Sequence, residues 1–171
     1  MIRMPMLAVL ATLAVLSSTA QSVELAMQLP RGETPDPALG ELESAAMDRF
    51  FDSGIVLTST AESSEFDMVV LCERSRQAYI DWVLLLDVAG AVADRPMGSA
   101  ESLRWCLYRC RDGSASGSGT VTLPVSALQL ADREKRLRSL GDATAASVLA
   151  FLRSGGDSGT DADRIAGSAG G

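Results

Sequence analysis

Histidine is absent from the chain. That absence excludes Ser-His-Asp and Cys-His catalysis, His-ligated zinc and an imidazole proton shuttle. Lysine occurs once, at Lys135, against 14 arginines, so a Ser-Lys dyad has a single base to draw on. Aromatic residues make up only 5%. Apolar runs are short: the longest, Met4 to Leu16, falls below the roughly 20 residues that a membrane helix needs. Cysteines number three, an odd count that leaves at least one thiol without an intrachain partner.

What is present is a chain of 171 residues, 47% hydrophobic and 22% charged, enough for one core and too ordinary in charge for wholesale disorder. Arg3, the apolar run and Ser17-Ser18-Thr19-Ala20 have the layout of a secretory signal cleaved after Ala20. A retained amino-terminal anchor is the alternative. No cysteine follows the apolar run, so a lipid anchor is not expected. The expected organisation is a signal peptide over 1–20, one α/β domain over 21–153, and a disordered Gly/Ser/Asp tail over 154–171. The protein is then exported, periplasmic or extracellular, with no integral span after cleavage.

Charge is unevenly spread. Residues 21–100 carry 14 acids and 5 bases, net −9, whereas 101–153 carry 5 acids and 8 bases, net +3. An acidic chain repels nucleic acid, so none is expected as a partner. The basic run Arg133, Lys135, Arg136, Arg138 reads as a solvated helix face.

Periodicity yields the fold. Val23, Leu25, Met27 and Leu29 alternate with Ser22, Glu24, Ala26 and Gln28, predicting a half-buried strand. Thr34 and Pro35 suit the start of a helix over 36–52, closed by Gly54. A strand over 55–60, a helix over 65–79 and a strand over 82–88 follow. Leu103, Trp105 and Leu107 form one face of a strand over 102–111, which returns through a polar tip at 112–119 to a strand over 120–123. A helix over 130–153 closes the domain. The order β-α-β-α-β-β-β-α predicts an α/β fold of mixed type: a five-stranded mixed sheet with three helices. If all three helices cover one face, Cys72 is separated by the sheet from Cys106 and Cys110. If the second helix crosses to the other face, Cys72 can meet one of them.

The opening strand, the helix ending in Phe50-Phe51-Asp52-Ser53-Gly54 before Ile55-Val56-Leu57, and the hairpin Leu107-Tyr108-Arg109-Cys110-Arg111-Asp112-Gly113 before a closing helix resemble a group of bacterial envelope domains. These are the curli-transport lipoprotein, the amino-terminal domain of the Tol-system propeller protein and the lipoprotein activators of penicillin-binding proteins. The resemblance covers roughly residues 22–153 and implies a role in envelope assembly or partner binding.

Chemistry is sparse. Cys106 and Cys110, on one strand, lie about 13 Å apart and do not bridge; they are the candidate reactive thiols, while Cys72 reads as a buried, inert one. No metal-ligand spacing, cofactor motif or catalytic set stands out. Asp52, Asp81 and Asp87 are the candidate pocket carboxylates, with Asp87 and the loop 89–98 favoured because ligands of open α/β sheets gather at strand carboxyl ends. The reading is an exported, non-catalytic envelope module that binds a protein partner. The alternative is a carboxylate-dependent hydrolase or small-ligand binder with its site near Asp87.

Overall fold

The computed structural model describes residues 21–32, 36–60, 62–89, 101–123 and 132–155. The expected signal peptide, the Thr34-Pro35 helix start, most of the loop after Asp87 and nearly all of the tail lie outside them. In chain order the elements are β1 (Ser22–Gln28), α1 (Leu39–Asp52), β2 (Val56–Ser59), α2 (Met68–Gln77), β3 (Trp82–Asp87), β4 (Ser102–Arg109), β5 (Ser114–Thr122) and α3 (Arg133–Arg153). The fold is α/β, and the element order is the one predicted. The five strands lie in the order β2-β1-β3-β4-β5. β1 pairs parallel with β2 and β3, and β3-β4-β5 is antiparallel.

That strand order places the helices. The β1-to-β2 crossover steps to one side of β1, and the β2-to-β3 crossover steps back past it. Right-handed crossovers in opposite directions put their helices on opposite faces. α1 and α3 therefore cover the inner face, where Val23, Leu25, Met27, Leu84, Leu86, Leu103, Trp105 and Leu107 join Leu42, Phe50, Leu137 and Leu140 in the main core. α2 covers the outer face, where Leu71 and Cys72 pack on Ala26, Val83 and Cys110. The one-face layout is thus corrected. β1 is buried on both faces, not half-buried, because α2 lies over its polar side.

Helix starts follow their caps. α1 begins at Leu39, later than predicted: Pro37 and Ala38 form a turn in which the Asp36 carboxylate accepts the Ala38 N–H at 2.9 Å. Asp67 caps α2 by accepting from the Val69 and Val70 N–H groups, and Asp132 caps α3 through the Glu134 N–H.

The polar stretch 112–119 is mostly strand, not hairpin tip. The turn takes up Cys110 to Gly113, where Gly113 adopts φ 68°. Two glycines make β5 possible. Trp105 and Phe151 lie 5.8 Å apart over its inner face, and a Cβ at Gly119 would come within 2.8 Å of the Trp105 indole. The Phe151 ring closes on Gly117 in the same way. A segment rich in Ser and Gly is here the floor beneath two aromatic rings.

One acid is held against its nature. Burial first, then the neighbouring charges of Glu43 and Asp36, push the Glu62 carboxyl above its ordinary value. An acid with a raised folded pKa costs nothing below its unfolded value near 4.5, and lowers stability as pH rises through the raised one. Glu62→Gln is therefore expected to raise the melting temperature at pH 7 by about 2 °C and to change nothing below pH 4. Equal shifts at both pH values would rule out ionisation as the cause.

Candidate functional site

The three sequence-predicted carboxylates are not brought together. Asp81 and Asp87 flank β3 at opposite ends, roughly 20 Å apart at strand rise. Asp87 is half-buried, accepts the Ala89 N–H at 3.2 Å and stands opposite Arg104 in the sheet register. Asp52, exposed at the end of α1, lines a separate hollow of about 230 Å³ with Arg49, Ser53 and Arg153. No carboxylate pair of a glycosidase type arises from these three residues.

Asp81 alone lies in a large cavity. This cavity, of about 720 Å³, opens where α2 ends and β3 begins. Its walls include Arg76, Tyr79 and Trp82, with Arg109 and Arg111 from the end of β4 and the turn after it. It therefore sits at the amino-terminal ends of the parallel strands, opposite to where Asp87 pointed.

The end of α2 explains the geometry. The Ile80 N–H reaches the Ser75 carbonyl at 2.9 Å, and the Tyr79 N–H reaches that of Arg76 at 3.1 Å. This is the 6→1 and 5→2 pair of a Schellman cap, whose first position past the C-cap favours glycine in the left-handed region. Tyr79 occupies it with φ 60° and is the one described non-glycine residue at positive φ. Its side chain is 91% exposed, so packing does not repay the strain. The cap throws the ring out beside the cavity.

Electrostatics around the cavity oppose the charge of the whole chain. Arg109 stacks over Trp82, with its guanidinium carbon 5.4 Å from the ring centroid. Arg76 binds Glu73 through both carboxylate oxygens, at 2.8 Å each to one guanidinium nitrogen, which leaves its charge at the rim in a defined place. Asp81 is occupied locally: its carboxylate accepts the Ser22 N–H at 3.3 Å and the Ser22 hydroxyl at 3.4 Å, tying β1 to β3. The result is a concave surface with three guanidiniums, two aromatic rings and one internally bonded carboxylate, on a protein of net charge −7.

The thiols also differ from expectation. Cys106 is half-buried on the outer face, beside Tyr108. Burial, followed by the Cys106 hydrogen bond, pushes the Tyr108 hydroxyl up to about 12. Cys110 is buried, in the same outer-face cluster as Cys72. Burial, then the neighbouring Cys72, pushes the Cys110 thiol up to about 12, and burial also raises Cys72. Cys110 is thus no exposed reactive thiol: α2 covers it. Among the described residues, no group of three potential ligands lies close enough to hold a metal ion.

Sequence reasoning found Asp81 but missed the residues that give the cavity its character. A cluster of arginines at 76, 109 and 111 in an otherwise acidic chain is a usable signal, but only once β3 and β4 are known to pair Trp82 with Arg109. Tyr79 leaves no trace, because the residue expected at its position is glycine.

No family model matches the chain, and no curated protein matches it. Solved structures do. A PelC dodecamer from Paraburkholderia phytofirmans is 16% identical over 74% of this chain and 89% of that one, with a TM-score of 0.44. TolB from Acinetobacter baumannii is 14% identical over 78% of this chain and 29% of that one, with a TM-score of 0.46. Lipoprotein GNA1162 from Neisseria meningitidis is 15% identical over 78% of this chain and 99% of that one, with a TM-score of 0.45. Among the described residues no helix is long and apolar enough to cross a membrane.

Proposed function

We propose that the protein is an exported, non-catalytic envelope module that binds an acidic segment of a protein partner at the cavity beside Tyr79. One observation carries this reading: an exposed, conformationally strained tyrosine stands beside three arginines and a tryptophan. Tyr, Trp and Arg are the residues in which binding energy concentrates at protein interfaces, because they combine large contact area with few flexible bonds or with planar, bidentate donors. A carboxylate-dependent hydrolase needs a second carboxylate converging on the first, and the described walls of this cavity offer arginines instead. The domain limits 21–153, flanked by a signal peptide and a tail, belong to the same reading.

Charge and strain give separate tests. Arg111→Glu is expected to abolish recovery of an acidic partner cross-linked in cell envelopes, while the melting temperature holds. Tyr79→Gly is expected to stabilise the fold, raising the melting temperature by about 3 °C as the left-handed strain is relieved, and to weaken partner capture at least tenfold. Capture that survives both substitutions would place the interface elsewhere.

A further inference from the structure

We infer that Cys72 and Cys110 are the two halves of a disulfide that staples α2 to the end of β4 when the protein folds in an oxidising compartment. Both side chains belong to the small outer-face core, with Ala26, Leu71 and Val83. They stand there as free thiols packed in one buried cluster, 2% and 4% exposed. The sequence separates them by 38 positions, so their meeting is a product of the crossover that carries α2 to this face. Cys106 does not compete. Its side chain shares that face but stands in the middle of β4, opposite Leu85 and Ser118. Among the described residues α2 is the only helix over this face, and its packing on the sheet is slight compared with that of α1 on α3. A covalent tie therefore falls where the fold has least to hold it.

The chemistry needs a disulfide oxidant, such as oxidised glutathione or a dithiol-disulfide oxidase. One cysteine thiolate attacks the oxidant's disulfide, forming a mixed disulfide and expelling one oxidant thiolate. The second cysteine thiolate then attacks the protein sulfur of that mixed disulfide, closing Cys72–Cys110 and expelling the other. Two electrons and two protons leave the protein and reduce the oxidant to two thiols. Burial keeps both thiols protonated and out of reach once α2 has packed, so the exchange belongs to the folding chain.

The inference rests on the export reading for its setting but is tested without it. The full chain is denatured, reduced and refolded with reduced and oxidised glutathione, and its thiols are then counted in denaturant without reductant. One free thiol is expected, and unreduced peptide mapping should join the Cys72 and Cys110 peptides with Cys106 left free. Three free thiols, or a link through Cys106, overturns the pairing. Reduction should lower the melting temperature by roughly 10 °C, and Cys72→Ala should remove that dependence on reductant. A wild-type melting temperature indifferent to reductant would also overturn it. The export reading is checked separately, by whether the protein is recovered from the envelope or from the cytoplasm.

Discussion

Gly141→Ala is expected to melt about 3–7 °C below the wild type, although alanine is the better helix former. Gly141 lies mid-way along α3, at its crossing with α1, and the space a Cβ would need is already filled by the Leu42 backbone carbonyl. A side chain in that position could rotate away. A carbonyl committed to its own helix cannot, so the two helices must separate. Separation opens the inner core around Leu42, Leu137 and Leu140, each fully buried. Alanine returns about 1 kcal/mol of helix propensity, but overpacking of a closed core costs about 1–3 kcal/mol and loosens the contacts on either side. Thermal unfolding followed by circular dichroism reads the balance. A variant as stable as the wild type would mean that the helices can part without cost.

Arg74→Ala is expected to lose about 3 kcal/mol, or about 10 °C. Glu24 points from β1 into the outer-face core, where it is 6% exposed. Its two oxygens accept from the Arg74 guanidinium and the Ser75 hydroxyl. The Ser75 hydroxyl also bonds the Leu71 carbonyl at 2.8 Å. Removal of Arg74 strands a carboxylate away from water with one hydroxyl for company. Arg74 itself is more than half exposed, so water softens the loss, and the expected figure is the lower end for breaking a buried pair. The double variant Glu24→Met/Arg74→Met should recover most of the stability, because it removes the charge together with its counterion. Failure to recover would show that the pair sets the position of α2 rather than merely neutralising a buried charge. Denaturant unfolding of the two variants distinguishes these outcomes.

Glu24 also shows where the sequence stopped being legible. The alternation of β1 correctly assigned Val23, Leu25 and Met27 to one face. It read the other face as solvated because Glu24 and Gln28 are polar. Nothing within residues 22–29 says that a helix 40 residues further on will cover that face, since the information lies in the strand order. The same gap hid the meeting of Cys72 with Cys110, although the sequence had named the contact as the consequence of the other helix layout. β5 was shortened for a different reason. Glycine and serine have weak strand propensity, and the rings of Trp105 and Phe151 that require Gly119 and Gly117 come from distant positions. Elements with their own apolar stripe, such as α1 and α3, were found to within a few residues. Asp81 was found as a strand-flanking carboxylate, but its cavity was not, because three arginines from two separate segments and a tyrosine in a glycine's place assemble only in space.

The position of β1 bears on how quickly the chain can become a sheet. The first strand among the described residues is an interior strand, paired to Val56 from Ser22 and to Trp82 from Val23. Neither pairing is local, and each closes a long loop before any ladder bond is gained. Among the described residues the only tight hairpin, β4-β5, lies far from β1 along the chain, so rapid local pairing cannot seed the parallel half. Such non-local pairing is expected to slow folding relative to a chain built from local hairpins. Until β3 has been made and has found its place, β1 is an apolar strand with at least one edge open.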